Sequence, residues 1–123
     1  MSDQSPKPET KPTTPSDRRA TPRFRVQFRT TFSGPTVIEG NGTVLDLSLE
    51  GCRVESTTTV LPSLMMELRI HVPDLDWPLM IDGAVVRWVR GQTFGLGFLR
   101  LREPERERLR QLIERLAADE FAR

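Results

Sequence analysis

One cysteine, one histidine and no tyrosine stand in the 123 residues of this chain. A single cysteine excludes an internal disulfide, and with a single histidine a Cys/His zinc site is out of reach. Cys52 reads as a buried strand residue, and His71, between Ile70 and Val72, as a solvated one. No run approaches the roughly 18 apolar residues of a membrane span, and the N-terminus carries no signal-peptide pattern. The expectation is a soluble, cytoplasmic chain without membrane insertion. Its length bounds the fold to one small domain plus tails. No motif holds paired carboxylates, no metal-ligand cluster occurs, and no phosphate loop of the Walker type is present. Gly95-Leu96-Gly97 does not open a strand–helix–strand unit and so is no dinucleotide fingerprint. An enzyme is therefore not expected, nor is a metal or cofactor.

Net charge is also scarce. At +1 the chain has no global field to draw in a polyanion. The distribution is uneven, however: from Asp17 to Arg29 the arginines Arg18, Arg19, Arg23, Arg25 and Arg29 face one acid. Local positive charge with little net charge points to a small anionic ligand more than to nucleic acid. The preceding residues 1–17 are rich in Pro, Thr, Ser and Lys, with no aliphatic or aromatic residue after Met1. Such a segment buries too little apolar area to offset the entropy of ordering it, and it reads as a disordered tail. Pro22 biases Thr21 away from helix, so residues 18–23 read as an extended arm into the first strand.

What remains alternates. Phe24, Val26 and Phe28 are expected inward, with Arg23, Arg25, Gln27 and Arg29 outward, and Ser33-Gly34-Pro35 is a turn signal. A second strand is expected from about Val37, with Gly40-Asn41-Gly42 as a bulge or break. It runs into Val44-Leu45-Asp46-Leu47-Ser48-Leu49-Glu50-Gly51-Cys52, where strict alternation puts Leu45, Leu47 and Leu49 on one face and Asp46 and Ser48 on the other. A carboxylate and a hydroxyl held two residues apart suit the neighbouring N–H groups of a base edge. The same residues are also ordinary turn residues at a strand end. Further strands carry Cys52 and Val54, then Met66, Leu68, Ile70 and Val72, then Met80 to Val89 with both faces covered. The last has Phe94, Leu96 and Phe98 inward, with Gly95 and Gly97 outward to admit a close neighbour. Pro104 and the acids Glu103, Glu105 and Glu107 start a helix over 103–120, whose Leu109, Leu112, Ile113 and Leu116 are expected to cover the outer face of the sheet. The fold class is all-β: a six-stranded antiparallel barrel over 23–101 with a C-terminal helix packed on it.

Two separated motifs give this pattern a family resemblance. Arg19-Ala20-Thr21-Pro22-Arg23 matches R-x-x-x-R, preceded by a further Arg18, and Asp46-Leu47-Ser48-Leu49-Glu50-Gly51 matches [D/N]-x-S-x-x-G. In this order, one strand out and one back, they resemble the PilZ domains, bacterial receptors for cyclic di-GMP, over residues 18 to about 117. The resemblance implies a ligand-binding set of Arg18, Arg19, Arg23, Asp46, Ser48 and Gly51. The arginine forks would take phosphate and guanine O6/N7, Asp46 and Ser48 would receive guanine N–H groups, and Gly51 would admit the base. An arginine at position 18 implies two stacked ligands in place of one. Ordering of the arm on binding would then be read by a protein effector. Two other readings stand beside it. One is an adaptor of the same fold acting by protein contact alone. The other is a nucleic-acid-binding barrel of the OB kind, disfavoured because tyrosine is missing and most phenylalanines point inward.

Overall fold

The structure, a computed structural model, describes residues 21–35 and 39–122. The expected tail over 1–17, Arg18, Arg19 and the expected strand start at Val37 lie outside the described residues. The elements are β1 (Phe24–Ser33), β2 (Gly40–Leu47), β3 (Gly51–Glu55), β4 (Met65–His71), β5 (Leu79–Arg90), β6 (Thr93–Arg100) and a helix, α1 (Glu103–Ala122). All strand pairs are antiparallel, and they close into a barrel in the order β1-β2-β3-β6-β5-β4, with β4 returning to β1. Closure gives each strand two neighbours, so no long edge is left to template further pairing. Among the described residues no helix is long and apolar enough to cross a membrane.

Alternation of apolar and polar residues decides most of the interior. Cys52 and Val54 of β3, Met66, Leu68 and Ile70 of β4, and Phe94 and Leu96 of β6 are buried as the two-residue period requires. Phe32 and Phe94 meet edge to face across the barrel, with ring centroids 5.6 Å apart. Thr30 is the one polar side chain of β1 in the interior, and its hydroxyl donates to the Arg69 carbonyl at 2.7 Å. At the β5–β6 hairpin, Arg90 pairs with Thr93 across the two-residue loop Gly91-Gln92, and Gly91 supplies the positive φ (64°) that such a loop needs.

Strict alternation fails in β2, and this corrects the expectation there. In β1 the register against β2 shifts by one residue between Arg25 and Phe28, yet the alternation holds: Phe24 and Phe32 are buried, Val26 and Phe28 pack half-buried against the core, and Arg25, Gln27 and Arg29 are exposed. In β2 the register against β3 shifts between Val44 and Asp46. One extra residue, Leu45, therefore lies between two inward positions, so Val44 and Leu47 are the buried pair. Leu45 is half-buried, and Leu49 is 40% exposed past the end of the strand. The shared inward face of Leu45, Leu47 and Leu49 does not exist. Gly40-Asn41-Gly42, expected as a bulge or break, pairs regularly with Phe32, Thr31 and Thr30.

The helix does more than cover an outer face. Leu109, Leu112 and Ile113 belong to the same buried cluster as the barrel interior, and α1 packs against β5 and β1. Its position is pinned at the start of β5. Met80 N–H donates to Glu105 Oε1 at 3.1 Å, and the Arg108 guanidinium donates to the Pro78 carbonyl at 3.2 Å and the Trp77 carbonyl at 2.6 Å. The same guanidinium stacks over the Trp77 ring at 5.6 Å. On the outer side of the barrel two side chains of β5 lie on the glycines of β6, while Val89, expected to be covered, is 37% exposed. The indole of Trp88 fills the place where a Cβ on Gly95 would sit, and the Arg87 guanidinium does the same at Gly97.

Candidate functional site

Asp46 is the last but one residue of β2 before the chain turns, and the turn sets its neighbour. Leu47 pairs with Cys52, which puts Asp46 opposite Arg53 on the outside of the barrel. Arg53 Nε donates to Asp46 Oδ2 at 2.9 Å, within the range of a charge-assisted bond. The other carboxylate oxygen accepts from Arg23 Nη1 at 3.3 Å. The Asp46 side chain is only 13% exposed, against 38% for Arg53 and 58% for Arg23. A nearly buried carboxylate is thus held between two arginines that are themselves partly in water. The residue beneath registers this charge: burial pushes the Cys52 thiol well above its ordinary range, Asp46 adds to the rise, and Arg23 offsets part of it.

Ser48 takes a different place from the one strict alternation gives it. β2 ends at Leu47, and Ser48 is buried at the first corner of the turn instead of standing beside Asp46 on the strand face. Its hydroxyl accepts from the Glu50 N–H at 3.1 Å and the Gly51 N–H at 3.2 Å, and lies 3.3 Å from the Gly51 carbonyl, to which it donates. The Ser48 N–H donates to the same carbonyl at 2.9 Å. This is the bonding of a serine that shapes a turn. Gly51 also has a packing reason. A Cβ there would lie 2.2 Å from the Leu96 carbonyl oxygen of the paired strand β6, so any larger residue would force β3 and β6 apart.

Beside this turn lies a cavity of about 420 Å³. One rim carries Thr21 and Arg23, the turn supplies Ser48, Glu50 and Gly51, and the far wall is Arg87 with Leu96, Gly97 and Phe98. The cavity therefore joins the entry to β1, the β2–β3 turn and the β5–β6 sheet, three pieces distant in sequence. A second cleft of about 440 Å³, between Ser33, Met65, Glu67, Asp82 and Arg100, contains none of the motif residues.

A family model for the PilZ domain matches residues 17–115. The chain belongs to the PilZ family. Among solved structures, the PilZ chain is similar to Bacillus subtilis Inhibitor of motility (MotI/DgrA) at 17% identity and a TM-score of 0.69, covering 83% of this chain and 52% of that one. It is similar to YcgR from Escherichia coli, solved in complex with c-di-GMP, at 13% identity and a TM-score of 0.70, covering 85% of this chain and 48% of that one. The PilZ domain of CeSA from a cellulose-synthesizing bacterium is similar at 13% identity and a TM-score of 0.61, covering 77% of this chain and 97% of that one. At these identities the likeness shows the fold. The chain spans about half the length of MotI and of YcgR. No match is found among curated proteins.

The structure brings Arg23, Asp46, Ser48 and Gly51 of the two PilZ motifs to one place, while Arg18 and Arg19 lie outside the described residues. Arg53, Glu50 and Arg87 were not expected there. Arg53 could have been found from the hairpin: once Ser48 to Gly51 is taken as the turn, the residue opposite Asp46 is fixed. Arg87 carries no such local signal, because it reaches the cavity only through the pairing of β5 with β6.

Proposed function

We propose that this PilZ domain is a receptor for cyclic di-GMP that reports the messenger to a protein partner in the cytoplasm. The observation that carries this reading is the meeting of the two motifs: Arg23 of R-x-x-x-R bonds Asp46 of [D/N]-x-S-x-x-G across 23 residues of sequence, and Arg23, Ser48 and Gly51 line one cavity of about 420 Å³. YcgR, of similar fold, has been solved with that ligand. The ligand offers phosphates and guanine edges, and arginine forks match both. Arg18, Arg19 and Arg23 close over it from the arm. Asp46 accepts guanine N–H groups, and Ser48 fixes the turn that aims the site. Arg23 then exchanges its bond to Asp46 for bonds to the ligand. The repositioned arm is the surface that a partner distinguishes.

Calorimetric titration with cyclic di-GMP tests this, with GMP and cyclic di-AMP as controls. Saturable binding of the first ligand alone is expected, with about two ligands per chain if Arg18 supports a stacked pair, falling toward one in Arg18→Ala. NMR relaxation of residues 17–24 should show that segment losing fast motion as ligand is added. Absence of binding would reject the receptor and leave the ligand-independent adaptor.

A further inference from the structure

Arg87 stands on the cavity wall opposite the arm, and the two motifs do not account for it. It lies on β5, is exposed, and forms no ion pair with any described residue, although Glu50 lines the same cavity. Its guanidinium lies across Gly97 of the adjacent strand: a Cβ on Gly97 would sit 2.5 Å from Nε, 3.0 Å from Nη2 and 3.2 Å from Cζ. The missing side chain at Gly97 is what allows the guanidinium to rest there. The other described cation of the cavity, Arg23, is committed to Asp46. Arg90, two residues on, is held elsewhere, over the Trp88 ring at 5.4 Å. Arg87 is thus a planar fork with no anionic partner among the described residues, facing the turn that carries Ser48 and Gly51.

We propose that Arg87 is a further ligand-binding residue of this site: it holds a phosphate of the bound cyclic dinucleotide from the wall facing the arm, and Gly97 positions it. This rests on the receptor reading above. Two arginines on opposite walls can take anionic oxygens from both sides of a ligand, which the arm alone cannot do. A fork also gives two parallel N–H···O bonds where a lysine gives a point charge.

The test is calorimetry with cyclic di-GMP on the full chain and on Arg87→Ala, Arg87→Lys, Gly97→Ala and Arg90→Ala, with thermal melts of each. Loss of a charge-assisted bond predicts that Arg87→Ala weakens binding about tenfold or more. Arg87→Lys should fall between it and the parent chain, and Arg90→Ala should stay within about twofold. Gly97→Ala displaces the far end of a flexible side chain and not backbone, so it should melt near the parent chain yet bind as weakly as Arg87→Ala. Binding by Arg87→Ala within about twofold of the parent chain overturns the proposal while leaving the receptor intact. Equal losses in Arg87→Ala and Arg90→Ala overturn it as well, because general charge would then suffice. A parent chain that binds no cyclic di-GMP overturns the receptor reading and this inference with it.

Discussion

Removing the carboxylate of Asp46 separates two ion pairs of unequal quality, and their difference can be worked from the geometry. The Arg53 bond is 2.9 Å long and joins a carboxylate that is 13% exposed to a guanidinium that is 38% exposed. The Arg23 bond is 3.3 Å long, and its arginine is 58% exposed. A short bond on a mostly buried acceptor belongs toward the charge-assisted class, which solvent around Arg53 reduces to about 1 kcal/mol. A long bond to a solvated guanidinium contributes about 0.3 kcal/mol. Asp46→Ala should therefore cost about 1.3 kcal/mol, which in a domain of this size lowers the melting temperature by roughly 5–10 °C. Double-mutant cycles of Asp46→Ala with Arg53→Ala and with Arg23→Ala, read by urea unfolding, should give the larger coupling for Arg53. Repeated with saturating cyclic di-GMP, the Arg23 coupling should vanish while the Arg53 coupling persists, because only Arg23 changes partners. A coupling to Arg23 equal to or above that to Arg53 would refute the burial reasoning.

Three further outcomes are expected. Gly51→Ala places a Cβ against the Leu96 carbonyl of β6, so it should destabilise the barrel by about 1–3 kcal/mol, seen as a lowered urea midpoint. A variant that melts normally and only loses ligand would instead make Gly51 a contact residue. Ser48→Ala leaves the Glu50 and Gly51 N–H groups without their acceptor and should cost about 1–2 kcal/mol, with Ser48→Thr recovering part of it. Cys52, buried and with its thiol pushed well above the ordinary range, should resist a thiol reagent at pH 8 in the folded chain and react fully in denaturant. Rapid reaction without denaturant would contradict its burial.

The barrel was largely legible in the amino-acid order, because backbone alternation is a local property. Met66, Leu68 and Ile70 had to share a face once their segment was extended, and so did Cys52 with Val54 and Phe94 with Leu96. Glycine at 95 and 97 announced a close neighbour, and Trp88 and Arg87 are that neighbour. The two motifs were equally readable, and their order along the chain already implied one site. What alternation could not reveal was where it breaks. A bulge exists only relative to a partner strand, so nothing within Val44 to Gly51 marks Leu45 as the extra residue; the pairing of β2 with β3 marks it.

That one residue decides the chemistry of the turn. The sequence by itself determined which residue types gather near Asp46: arginines before it, a serine and a glycine after it, and strands to hold them. The tertiary structure decided their duties. Ser48 turns inward to bond the backbone, Gly51 makes way for Leu96, and Arg53 and Arg87 arrive from positions outside both motifs. The physical reason is that a side chain's direction follows from its own backbone, whereas its partners follow from register between strands. Register is fixed only when all six strands of the described barrel have closed.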